Sequence, residues 1–287
     1  MSKIIWSMWL QGIENAPYII KYCYHSWLDK NPDWKVIILT NENIPDYLGK
    51  EFKLHTQPGV NIVAASDIIR LNLLAKYGGV WADATCFCCQ PLDQWLPNVE
   101  EGEGDFFAFS NPAKDKRIAS WFLATRAEGV FISRLRDEAN RYWSENNFNF
   151  YQSHILLRPL GKLFQNSFVL NKLSNHLKQN PEMTRHWFSP VVRRLFNVYP
   201  YFWLHYLSNL LIANDEPCRR SWVAMEKIPA DLPHTLQHIG LERPLTAEIK
   251  TEMDNLNTPV HKLSWRVSPS EKSDRVIDYF LRTATNG

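Results

Sequence analysis

From position 65 the chain reads Ala65-Ser66-Asp67-Ile68-Ile69-Arg70, and a little further on Tyr77-Gly78-Gly79-Val80-Trp81-Ala82-Asp83-Ala84-Thr85. Ser66 can cap a helix running to Lys76, with Ile68, Leu71, Leu74 and Ala75 near one face. Gly78-Gly79 ends that helix, because glycine enters the left-handed backbone of a helix terminus at little cost. Val80-Trp81-Ala82 follows as a short buried strand and delivers Asp83 to its carboxyl end, where open α/β sheets bind ligands. Asp67 and Arg70 are three apart, so they share a helical face. Taken alone, the pair is better explained as a surface ion pair worth roughly 1 kcal/mol or less.

Upstream, Ile4-Ile5-Trp6-Ser7-Met8-Trp9 is an apolar run ended by Gln11-Gly12, as expected of a strand buried on both faces. Val36-Ile37-Ile38-Leu39 is a second. Between them, Ala16 to Lys30 sets Ile19, Ile20, Cys23 and Trp27 at helical spacing, and Asn31-Pro32 stops the helix. Strand, helix, strand in forty residues is a βαβ unit and implies a parallel sheet. Further strands are expected at Phe106 to Phe109 and Ala119 to Ala124. From Val130 to Trp143, and through much of the stretch to Ile212, the pattern is helical and aromatic. No internal repeat appears, and a Pro-punctuated tail begins near Ile228.

The 32 Lys and Arg nearly cancel the 30 Asp and Glu. No global field therefore draws the chain to nucleic acid, and an anionic ligand must be held by local charges. The five cysteines are odd in number, and no apolar leader precedes the first strand, which points to a reducing cytoplasm, including the inner face of the cell membrane. Cys86, Cys88 and Cys89 lack the second pair that a zinc site wants, and are better taken as small buried residues after Asp83. The stretch Val198 to Ile212 looks membrane-like, yet Pro200, His205, Ser208 and Asn209 interrupt it short of roughly twenty apolar residues. Just before it, Arg185, Trp187, Arg193, Arg194 and Phe196 fit either peripheral membrane association or a buried helix with a solvated basic edge.

The block around Asp67 and Asp83 resembles glycosyltransferase family 32 and, more closely, the bacterial capsular polysaccharide synthesis proteins related to it. The large clostridial glucosylating toxins share the core pattern. In these proteins a Ser-Asp-x-x-Arg helix leads through a Gly-Gly turn into a strand ending in an Asp-x-Asp metal motif. The opening Lys3 to Gly12, then Ser26-Trp27, Asn31-Pro32 and Pro259-Val260-His261-Lys262-Leu263-Ser264-Trp265, are similar to the same family. The resemblance is dense to about Pro91, thin through the helical middle, and returns at that last segment.

What the resemblance implies is a glycosyltransferase A-type, Rossmann-like α/β sheet that binds a nucleotide sugar, with an added helical region. On that reading residues 1–125 are the nucleotide-sugar core, 126–245 a mainly helical acceptor side, and 246–287 a tail returning to the donor. The reaction implied is transfer from a nucleotide sugar, with a lean to UDP, onto a glycan or lipid-linked glycan, with retention at the anomeric carbon. Mn2+ or Mg2+ would assist, held by Asp83, Thr85 and His261. Thr85 departs from the second aspartate of many relatives and brings no charge. Asp67, Arg70 and Asp83 are the expected catalytic residues. Donor contacts are expected from Trp9 on the base, Asn41 on ribose or base, Ser66, Asp67 and Arg70 on the sugar, Lys262 on the β-phosphate, and Ser264 and Trp265 closing the pocket. The tail around His261, bracketed by Pro259 and Pro269, is expected to be a mobile lid.

Two other classes compete. Thr85 and the many aromatics also suit a non-catalytic carbohydrate-binding scaffold, and Asp83 after a strand suits a metal-dependent phosphohydrolase. The latter class wants a second acid where Thr85 stands. Donor turnover with manganese separates the scaffold from the enzyme.

Overall fold

The computed structural model describes residues 1–52, 61–100, 102–267 and 274–285. The first apolar run forms β1 (Ile4–Met8), and α1 (Tyr18–Lys30) carries the chain to β2 (Lys35–Leu39), parallel to β1. Helix α2 (Ile62–Tyr77) leads back to β3 (Gly79–Ala82), which lies parallel to β1 on its other side. The progression from β1 thus goes first one way and then the other, which opens a crevice beyond the carboxyl ends of β1 and β3.

After β4 (Cys86–Cys88), a long hairpin of β5 (Phe106–Ala113) and β6 (Lys116–Thr125) adds antiparallel to β3. The five-stranded order is β2-β1-β3-β6-β5. The α/β class is as the sequence implies, and the two expected later strands are the arms of this hairpin.

Both faces of the sheet are covered, which is why its strands read as apolar runs rather than alternating ones. Trp6 and Trp81 point to the face packed by α2, α3 (Val130–Glu145) and α6 (Trp203–Asn214). Ile5, Val80 and Ala82 point to the other, against Trp27 of α1. Gly79 sits at φ +91°, and a β-carbon there would come within 2.5 Å of the Ile4 carbonyl oxygen. Glycine is required to bring β3 this close to β1.

One boundary differs from expectation. Helix α2 starts at Ile62, capped by Asn61, whose side chain accepts from the Ala64 amide at 2.9 Å. Ser66 lies a turn inside it. Ile62 and Val63 face solvent, so the apolar periodicity that marks the rest of the helix does not reach its first turn.

Between α3 and α6 the chain runs through α4 (Arg158–Phe164) and α5 (Ser167–Leu177), and α7 (Glu216–Ala224) follows α6. The membrane-like stretch is largely α6, whose Trp203, Leu204, Leu207 and Ile212 enter the same core as Trp6 and Trp81. Among the described residues no helix is long and apolar enough to cross a membrane.

The tail comprises α8 (Asp231–Ile239), α9 (Ala247–Asp254), β7 (Val260–Lys262) and α10 (Val276–Thr285). Strand β7 pairs antiparallel with β4, setting Cys86 opposite Lys262 and Phe87 opposite His261. The expected lid is therefore corrected. Val260 and Leu263 are buried, and Leu263 shares a core with Ile19 and Cys23 of α1 and Ile277 of α10. A three-residue strand carries too little periodicity to reveal this from sequence. Pro269 lies outside the described residues.

Candidate active site

Alternation along β3 decides where Asp83 points. Trp81 faces α2, so Asp83, two residues on, faces it too. Its Oδ1 accepts from the Trp81 indole at 2.9 Å and lies 3.2 Å from the Arg70 guanidinium. Arg70 also reaches Asp67 Oδ1 at 3.2 Å and Ser66 Oγ at 3.2 Å, and donates to the Ser120 carbonyl of β6. The guanidinium lies over the Trp81 ring, 4.9 Å from its centroid. Only 4 % exposed, Arg70 ties α2, β3 and β6 together.

From the tail, Lys262 donates to Asp83 Oδ2 at 2.8 Å and to Thr85 Oγ1 at 2.7 Å. Burial alone would raise the Asp83 pKa, but the charges of Lys262 and Arg70 outweigh it and hold the carboxyl below its usual range. For Asp67 the balance goes the other way. Burial is the largest influence, Arg70 opposes it, Asp83 adds to it, and the carboxyl is pushed up to about 7. Two carboxylates sharing one guanidinium are thus shifted in opposite directions.

Trp9 follows β1 and meets Trp265, ring centroids 6.1 Å apart and nearly perpendicular. Trp265 is 47 % exposed, with the Arg266 guanidinium over its ring, 5.6 Å from the centroid. Asn41 is exposed beside them, its amide bonded to the Leu10 carbonyl at 3.2 Å. Ser264 Oγ accepts from the Arg266 amide at 3.3 Å. The structure therefore gathers Ser66, Asp67, Arg70, Asp83, Thr85 and Lys262 into one network and sets Trp9 against Trp265.

His261 does not join them. On a strand consecutive side chains point to opposite faces, and since Lys262 faces Asp83, His261 faces away, its ring 4.9 Å from that of Phe280. The expectation that it ligates a metal with Asp83 is corrected on that ground. Among the described residues, no cluster of three or more His, Cys, Asp or Glu is placed to hold a metal ion. Cys86 and Cys88 are buried on β4, and burial pushes both thiols up to about 12.

Burial pushes His261 down to about 4 from 6.5. Between those values the folded chain binds fewer protons than the unfolded one, so stability falls as pH drops through this window. His261→Leu should flatten that dependence by up to about 3 kcal/mol. Urea unfolding of both proteins across the window measures it, and identical pH slopes would contradict it.

Sequence reasoning missed three neighbours. Trp81 was readable as core only, although its i+2 relation to Asp83 placed both on one face. His205 of α6 lies near Lys116, Arg70 and Asp83, and burial first, then those cations, push it down to about 3. Lys116 itself pairs with Asp115 at 2.8 Å, and Asp115 accepts from Tyr206 at 2.6 Å. No local pattern announces this group, because it exists only where the β5–β6 turn meets α6.

Residues 1–199 match the family model described as capsular polysaccharide synthesis protein. The chain belongs to that family. Among curated proteins, this family member is 26 % identical over 179 residues to O-glycosyltransferase braB of Annulohypoxylon truncatum, covering 56 % of this chain and 42 % of the relative. It is 26 % identical over 111 residues to the initiation-specific alpha-1,6-mannosyltransferase of Candida albicans, covering 34 % and 28 %. The chain spans less than half the length of these relatives. Among solved structures, the ligand-free glycosyltransferase domain of the YGT toxin gives a TM-score of 0.42 at 12 % identity, over 99 % of this chain and 88 % of that one. PaToxG glycosyltransferase gives 0.38 at 15 %, over 78 % and 85 %.

Proposed function

We propose that this member of the capsular polysaccharide synthesis family transfers a sugar from a nucleotide-sugar donor, UDP-linked by preference, to a glycan or lipid-linked glycan, with retention of configuration. The observation that carries the reading is the Asp83 carboxylate at a strand end in the sheet crevice, kept ionised by Arg70 and bridged to Thr85 by the Lys262 ammonium. Family membership and the names of the relatives support it. Five free cysteines, four of them buried, fit action in a reducing cytoplasm.

A divalent cation fits here as a site that the donor completes. Mn2+ and Mg2+ are commonly held by one or two carboxylates plus substrate phosphates rather than by an all-protein cage. The ammonium between Asp83 Oδ2 and Thr85 Oγ1 marks a place where positive charge is favoured. When bound by Asp83 and Thr85, Mn2+ or Mg2+ would supply a Lewis acid to the departing diphosphate. Lys262 would then be free to serve the β-phosphate as a charge-assisted donor. Arg70 acts through the carboxylates it fixes, and Asp67, on the second turn of α2, meets donor-sugar hydroxyls. Trp9 and Trp265 offer indole faces to the base, with Asn41 beside them.

A panel of nucleotide sugars tests the reading, each with and without Mn2+, followed by melting temperature and by release of nucleoside diphosphate. One donor should stabilise the fold, more so with the metal, because a ligand of the native state alone raises its melting point. If none binds and none is turned over, the reading fails.

A further inference from the structure

Residues 146–202, which join α3 to α6, hold seven Lys or Arg against one Glu, a net charge of six, whereas the whole chain nets only two. The remainder is therefore net negative, and the positive charge is gathered in this one stretch. Its single carboxylate, Glu182, is 2.5 Å from Arg117. Among these described residues no acidic group is left to oppose an anionic partner.

The same stretch turns large apolar side chains outward. Leu160 and Leu163 lie three apart on one side of α4, Leu156 sits in the 3-10 turn that leads into it, and they are 45 %, 65 % and 88 % exposed. The opposite side of α4 is fixed to the protein, since a β-carbon on Gly161 would come within 2.6 Å of Tyr151. Helix α5 then opens with Phe168, 75 % exposed. Arg158, Lys162 and Lys172 are interleaved with these positions. An outward patch of leucine and phenylalanine flanked by basic residues is the pattern of a helix lying in a membrane interface. Protein interfaces, by contrast, are depleted in lysine.

We propose that this face rests on an anionic lipid bilayer, with Leu156, Leu163 and Phe168 entering the headgroup boundary and the neighbouring lysines and arginines meeting acidic headgroups. The surface goes beyond the transfer reading and does not depend on it. Binding is reversible and salt-sensitive, since its charged part is screened within roughly 10 Å at ordinary ionic strength.

Co-sedimentation of the full chain with vesicles tests it, comparing phosphatidylcholine alone with an equimolar mixture containing phosphatidylglycerol. The protein should pellet with the mixed vesicles, weakly or not at all with the neutral ones, and be released by salt. The triple variant Leu156→Ser, Leu163→Ser, Phe168→Ser should bind at least about tenfold more weakly, given the apolar area withdrawn, at an unchanged melting temperature. Lys162→Glu with Lys172→Glu should weaken binding and flatten its salt dependence. Failure of the parent to bind mixed vesicles overturns the proposal, as does full binding by the triple variant. So does a vesicle-free dimer, seen by sedimentation, that the triple variant abolishes, because the patch would then cover a second copy of the chain. Nucleotide-sugar turnover in detergent-free buffer reports separately on the transfer reading.

Discussion

Arg70→Met is expected to destabilise the fold by about 3 to 5 kcal/mol, the usual consequence of removing one partner from a buried ionic network. The guanidinium spans Asp67, Asp83, Ser66 and the Ser120 carbonyl. Without it two carboxylates face each other with only Lys262 to compensate, and of the two Lys262 touches Asp83. A domain's whole stability is about 5 to 15 kcal/mol, so a large share is at stake. Adding Asp67→Asn should recover part of the loss, because Asp67 is already pushed up to about 7 and an amide removes its charge outright. Urea midpoints of the single and double variants measure both effects. Equal midpoints for Arg70→Met and the parent would show that the network adds nothing to stability.

The second large effect concerns chemistry. Asp83→Asn keeps the size of the side chain and its acceptor for the Trp81 indole, but removes the charge that Arg70 and Lys262 hold. Transfer should fall by about 10²- to 10³-fold or more, the scale seen when one preorganised electrostatic contact is lost. Folding should survive, since Lys262 retains contact with solvent at 14 % exposure and Arg70 keeps Asp67. Initial rates at saturating donor, with circular dichroism as the control on folding, decide the matter. Near-parental rates would remove Asp83 from the reaction.

Much of the sheet was readable because its parallel strands are covered on both faces. Ile4 to Met8 and Val36 to Leu39 could be little else once Asn31-Pro32 closed the helix between them. The boundary of α2 was misplaced because solvent-facing Ile62 and Val63 break the link between apolarity and burial. Helix spacing put Asp67 and Arg70 on one face and a strand end carried Asp83, but only the family resemblance joined the three into a site. His261 could not be oriented, since on a strand every second residue faces the site and only the pairing of Cys86 with Lys262 says which. Long-range contacts between short elements leave no periodic trace. For the same reason His205 and Lys116 had no local signal.

The pairing of β4 with β7 also has a meaning in time. Asp83 and Lys262 are 179 positions apart, and at a synthesis rate of about 5 to 20 residues per second the nascent chain holds β4 for roughly 9 to 36 s before its partner exists. Through that interval Cys86, Phe87 and Cys88 form an unpaired, apolar strand edge, the kind of surface that invites association with other chains. The ribosome-bound protein should therefore lean on chaperones through roughly the middle three-fifths of its synthesis, and it acquires the cation of its active site only when that interval ends.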